Sequence, residues 1–134
     1  MGYILTNGVA ILLAAAAGLA VGAIFFLASG RGGSARPRWP ALAALAFVAE
    51  AWLAAILAGA LIVAPSTPQA GPWTMALASA AVIWIGFVVP TLAVTHAARG
   101  LGARATLADA MHWLLVMLVQ AAVLRAVGVS APSG

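Results

Sequence analysis

The stretch Ala80–Val119, AAVIWIGFVVPTLAVTHAARGLGARATLADAMHWLLVMLV, decides how this chain folds. It holds a proline inside an apolar run, both histidines of the protein, and Asp109, one of only two carboxylates. A short loop carrying Arg99 and Arg104 divides it. The apolar runs on either side, followed outward, are each long enough to cross a bilayer, which takes about 20 mostly apolar residues in a helix. The stretch therefore reads as two membrane spans and the turn between them.

The rest of the chain agrees. Of 134 residues, 66% are hydrophobic and 6% charged, and the mean hydropathy is +1.16. A soluble domain carries roughly 25% charged residues, so this chain has too few to cover a water-facing surface. The expected fold class is all-α, an integral membrane bundle of four transmembrane helices in a single domain over residues 1–134. The spans are expected at about residues 4–28, 40–63, 73–96 and 107–127. The start, MGYILTNGVAILL, has no basic leader and reads as a retained first span rather than a removed signal.

Cysteine is absent, which excludes disulfides and thiolate chemistry. Lysine is absent too, and the net charge of +4 comes from six arginines against Glu50 and Asp109. Arg31, Arg36 and Arg38 lie in one short loop, and Arg99 and Arg104 in another. Such clusters beside spans set orientation rather than form a phosphate-reading face, so no nucleic-acid partner is expected. They place both basic loops in the cytoplasm and both termini outside. Arg125, near the outer end of the last span, departs from this pattern and is expected to snorkel.

Within the first span, Ala14, Gly18 and Gly22 recur every four residues, a small-residue strip that lets helices approach closely. Contact with a neighbouring span of the same chain is the preferred reading of this helix-packing strip, and a dimer face the other. The second span opens on Trp39 and Pro40, which suit an interfacial ring and a first helical turn. Glu50 lies some ten residues in, about 15 Å deep and near the bilayer centre. A charge there costs at least about 2.5 kcal/mol, so Glu50 must face the bundle, be protonated, or both. In the third span Pro90 cannot donate to the carbonyl of Gly86, which predicts a kink at Gly86 and Pro90. Gly86 is expected to make room for the proline ring, and the Thr91 hydroxyl to satisfy a freed carbonyl.

Before the fourth span, Thr106 and Asp109 fit a helix cap, a hydroxyl followed three residues on by a carboxylate. Counting 100° per residue, Trp113, Val116 and Gln120 fall within about 40° of Asp109 and His112 about 60° away. Polar residues align on a membrane helix where that face meets protein or water. These observations predict an intramembrane polar cluster of Glu50, Thr91, His112 and Gln120.

Trp84-Ile-Gly-Phe87-Val-Val-Pro90-Thr91, followed after the basic loop by Asp109-Ala-Met-His112-Trp113-Leu, resembles the C-terminal half of the family catalogued as domain of unknown function 1761. Its members are small bacterial membrane proteins. The resemblance covers roughly residues 80–128. The aromatic and basic run that closes the first span in that family is missing here. The resemblance implies a four-span fold in the bacterial inner (cytoplasmic) membrane, and it implies no activity.

Two histidines and two carboxylates make a weak metal set, because Asp109 is already explained by capping, and no metal is expected. Ala108, four residues before His112, resembles the small-residue arrangement at which light-harvesting spans ligate a pigment. Alanine is so common in this chain that chance explains the pattern better. No cofactor is expected, with haem or bacteriochlorophyll on His112 as the minor alternative. No nucleophile motif or phosphate loop is present, so the chain is not expected to be an enzyme. The main expectation is a structural or accessory subunit that meets lipid and other transmembrane helices, as a homo-oligomer or within a larger membrane complex. The alternative is a proton-coupled small-solute transporter or channel acting as an oligomer.

Overall fold

A computed structural model describes residues 2–29, 39–64 and 70–131. Arg31, Arg36 and Arg38, which carry much of the orientation argument, lie outside the described residues, as does the Trp39 side chain. The elements are α1 (Gly2–Thr6), α2 (Gly8–Ala28), α3 (Trp39–Val63), α4 (Pro72–Ile83), a π turn (Trp84–Val88), α5 (Val89–Ala98) and α6 (Ala103–Val127). No β-strand occurs among the described residues. Four helices are long and apolar enough to cross a membrane: Gly8–Ala28, Pro40–Val63, Pro72–Ala98 and Ala103–Val127. The protein is an all-α bundle of four membrane-spanning helices.

The first span packs most extensively against the second and the fourth, and the third span rests chiefly on the fourth. Where α2, α3 and α6 meet, the core is built from small side chains. Ala10, Ala14, Ala54, Ala55, Ala58 and Ala121 are all buried there, with Leu57, Met117 and Leu124 filling the remaining space. Alanine costs no side-chain entropy in a helix, and its small size lets backbones approach, which matters in lipid where packing rather than water exclusion drives association. Ala14 and Gly18 of the small-residue strip are buried in this core and Gly22 is half-buried. The strip meets the chain's own helices, and its two buried members are not available as a dimer face.

The first span begins at Gly8, after the short α1, and not at about residue 4, and two other places also depart from expectation. The fourth helix begins at Ala103, with Gly102 as its N-cap residue in an extended conformation. The Gly102 carbonyl accepts from the Ala105 and Thr106 amides at 3.0 and 3.2 Å. Thr106 and Asp109 therefore do not cap the helix; they lie inside it, because the glycine's extended backbone starts the helix a turn earlier.

In the third span the irregularity at Pro90 takes the form of the π turn. The Val89 amide donates back to the Trp84 carbonyl, five residues away. The widened turn places an extra residue just ahead of the proline, whose missing N–H would otherwise interrupt the ladder. The Thr91 hydroxyl donates to the Phe87 carbonyl at 2.6 Å, giving a carbonyl of the widened turn a partner. Gly86, however, is not needed for space. A Cβ added there would meet nothing within 4 Å, since the π turn has already opened the helix.

Candidate functional site

Glu50 projects from the middle of α3 into the bundle and is 4% exposed. Its own helix supplies an apolar wall, because Ala54 and Leu57 follow on the same face and are fully buried. Gln120, fully buried on α6, reaches across to it. The Gln120 Nε2 donates to the Glu50 carboxyl Oε2 at 2.5 Å and to the Glu50 backbone carbonyl at 3.1 Å. A carbonyl oxygen accepts whether Glu50 is an acid or a carboxylate, so this donor serves both forms. Gln120 Oε1 is buried and has no partner among the described residues.

The third wall is Gly18 of α2. A Cβ built there would collide with the Glu50 Oε2 and lie 2.8 Å from the Gln120 Nε2. The glycine is thus the residue type that the pair requires opposite it. Three helices meet at one polar contact, which a backbone seals from the side.

The other members of the expected cluster are elsewhere. Thr91 is exposed and its hydroxyl is turned to its own helix. His112 lies two turns before Gln120 on α6, stacked on Phe25 of α2 with ring centroids 4.4 Å apart and planes 19° apart. Its Nε2 is buried near Gly22, whose added Cβ would lie 3.6 Å from it. The cluster is a pair, Glu50 and Gln120, with His112 packed separately at another level.

Two further polar contacts hold the bundle, and neither was anticipated. His96, 6% exposed at the end of α5, joins two side chains of α6. Its Nδ1 lies 3.2 Å from the Thr106 hydroxyl and its Nε2 lies 3.5 Å from the Asp109 Oδ2. The tautomer with hydrogen on Nε2 satisfies both contacts, accepting from the hydroxyl and donating to the carboxylate. Among the described residues no three or more His, Cys, Asp or Glu side chains come together.

Asn7, 5% exposed between α1 and α2, clasps the segment after α6. Its Nδ2 donates to the Ser130 carbonyl and its Oδ1 accepts the Ser130 amide, each at 2.9 Å. The only signal in the sequence was a polar residue early in the first apolar run. The third span is pinned by Trp84, whose Nε1 donates to the Ala110 carbonyl of α6 at 2.7 Å.

Two apolar grooves flank the third span. One, of about 430 Å³, lies between α3 and α5, with Trp52, Ile56, Phe87, Leu92 and Trp113 among its walls. The other, also about 430 Å³, lies between α5 and α6. Neither is lined by Glu50 or Gln120.

The fold and this contact define a multi-pass helical membrane protein whose described core holds one buried acid-amide pair. Comparison with protein families, curated proteins and solved structures finds no match.

Proposed function

We propose that the protein is a structural or accessory membrane subunit that packs against itself or a larger membrane complex. The observation that carries this reading is the closure of the Glu50–Gln120 contact. The pair is buried, Gly18 fills its open side, and neither groove leads to it. A proton or solute pathway needs a polar route to the carboxyl group, whereas a packing contact needs the reverse. The apolar wall formed by exposed Trp52 and Phe87 with half-buried Trp113 supplies a surface for another transmembrane helix. In this reading no catalytic step and no cofactor are assigned. The membrane is the bacterial inner membrane, with basic loops cytoplasmic and termini external, in keeping with the arginine distribution and the resemblance to domain of unknown function 1761.

A second reading, a proton-coupled transporter working as an oligomer, rests on Glu50 itself, because an acidic group at mid-span is costly unless used. Purification in mild detergent, with mass and visible absorption measured on one peak, tests the first reading. Co-migration with a larger complex, or a colourless homo-oligomer without proton flux in liposomes, is expected. Proton flux in liposomes that is abolished by Glu50→Gln would replace it with the second.

A further inference from the structure

The groove between α5 and α6 differs from its counterpart in what stands at its mouth. Its walls are Val89, Ala93 and Ala97 on one side and Ala103, Leu107 and Ala110 on the other, with Trp84 closing the inner end. Alanine methyls make up much of its wall, and the one polar atom among these side chains, the Trp84 Nε1, is already bonded to the Ala110 carbonyl. Along the helix, Trp84 to Ala97 spans roughly 20 Å at 1.5 Å per residue. One leaflet of hydrocarbon is about 15 Å deep. The groove therefore runs the depth of a leaflet, from mid-membrane to the connecting turn.

At that turn stand two positive charges. Arg99 ends α5, between the lining residues Ala97 and Leu101, and Arg104 follows the lining residue Ala103. Both are exposed, and neither pairs with a carboxylate among the described residues. The one acidic group at this end, Asp109, faces His96 instead. Thr106 also lines the groove, but its hydroxyl is engaged by His96. The groove itself is apolar up to Ala97, Leu101 and Ala103 at the turn, and the two arginines stand in sequence beside those residues. An anionic phospholipid presents its phosphate and then its acyl chain in the same order, cation side first.

We infer that this groove is a binding site for an anionic phospholipid, with one acyl chain along the alanine walls and the phosphate on Arg99 and Arg104. Basic pockets between transmembrane helices bind such headgroups because the charge attraction acts beside a low-dielectric wall. The site is independent of the Glu50–Gln120 pair and of the partner proposed for the opposite groove.

Native mass spectrometry of the purified full chain, with phosphatidylglycerol or phosphatidylcholine of matched acyl chains, tests it. The wild type is expected to retain one phosphatidylglycerol at least roughly tenfold better than phosphatidylcholine. The double substitution Arg99→Gln/Arg104→Gln, at exposed positions, should weaken phosphatidylglycerol retention roughly thirtyfold and abolish the preference. Ala97→Phe, also at an exposed position, should lose the lipid although both arginines remain. Equal retention of the two lipids by the wild type, or an unchanged preference in the double variant, would overturn the inference. So would displacement by inorganic phosphate at constant ionic strength, which marks a bare anion site. A dimer that Ala97→Phe splits without changing lipid retention would assign the groove to a second copy of the chain instead.

Discussion

The first, second and fourth spans differ from the third in how they are held. In their apolar windows 28%, 28% and 33% of residues are buried, against 6% for the third span. The three are locked by small side chains at close approach and by one polar pair that all of them enclose. The third leans on α6 through Trp84 near its middle and His96 at its end, and grooves lie open on both sides of it. The comparison teaches that a bundle can be tight without being closed. The three-helix part buries one face of each helix in a shared core, whereas the third span keeps nearly all of its surface for lipid or for another helix.

The sharpest way to break the comparison is Gly18→Leu. Its side chain must occupy the space of the Glu50 carboxyl and the Gln120 amide, so it should cost about 3 kcal/mol or more and separate α2 from α3 and α6. Thermal unfolding in detergent reads this directly, and an unchanged midpoint would show that the three-helix part is not close-packed at this level. Gln120→Leu should do less, about 2 kcal/mol, by leaving the Glu50 carboxyl buried without its donor. Glu50→Gln keeps a carbonyl oxygen for the same donor and should stay within about 0.6 kcal/mol of wild type. A Glu50→Gln loss as large as that of Gln120→Leu would mean that the acid itself stabilises the fold.

The smallest effect sharpens the contrast rather than breaking it. Trp84→Phe removes the hydrogen bond to Ala110, and such interhelical bonds are worth about 0.6 kcal/mol in membrane proteins. Global unfolding should hardly move, while hydrogen exchange at the amides of α5 should quicken. Equal quickening in α2 and α6 would show that the third span is part of the same cooperative unit.

How much of this was legible in the sequence depends on how far each inference had to reach. The number of spans and their approximate limits follow from hydropathy alone. Glu50 and Gln120 could each be turned inward by argument, because a polar group facing lipid is costly on any helix. Thr91 could not. It was placed by its span and depth and not by its facing, and the π turn before it inserts an extra residue that swings all later side chains of that span by about 100°. Thr106 and Asp109 fit a capping pattern that the helix did not use, since Gly102 begins it earlier. Those side chains instead meet His96, which the sequence offered only as a weak ligand candidate at the end of the third span and not as a contact to the fourth.

By itself, then, the sequence determined the solvent, the class of fold, the four helices and the inward turn of the mid-membrane acid. Each of these follows from composition or from the period of one helix, which are local properties. Only the tertiary structure decided which polar groups share a level: Glu50 with Gln120 against Gly18, His96 with Thr106 and Asp109, Asn7 with Ser130. Those pairings depend on the axial register between helices, and in lipid that register is set by close packing of small side chains from all the spans at once.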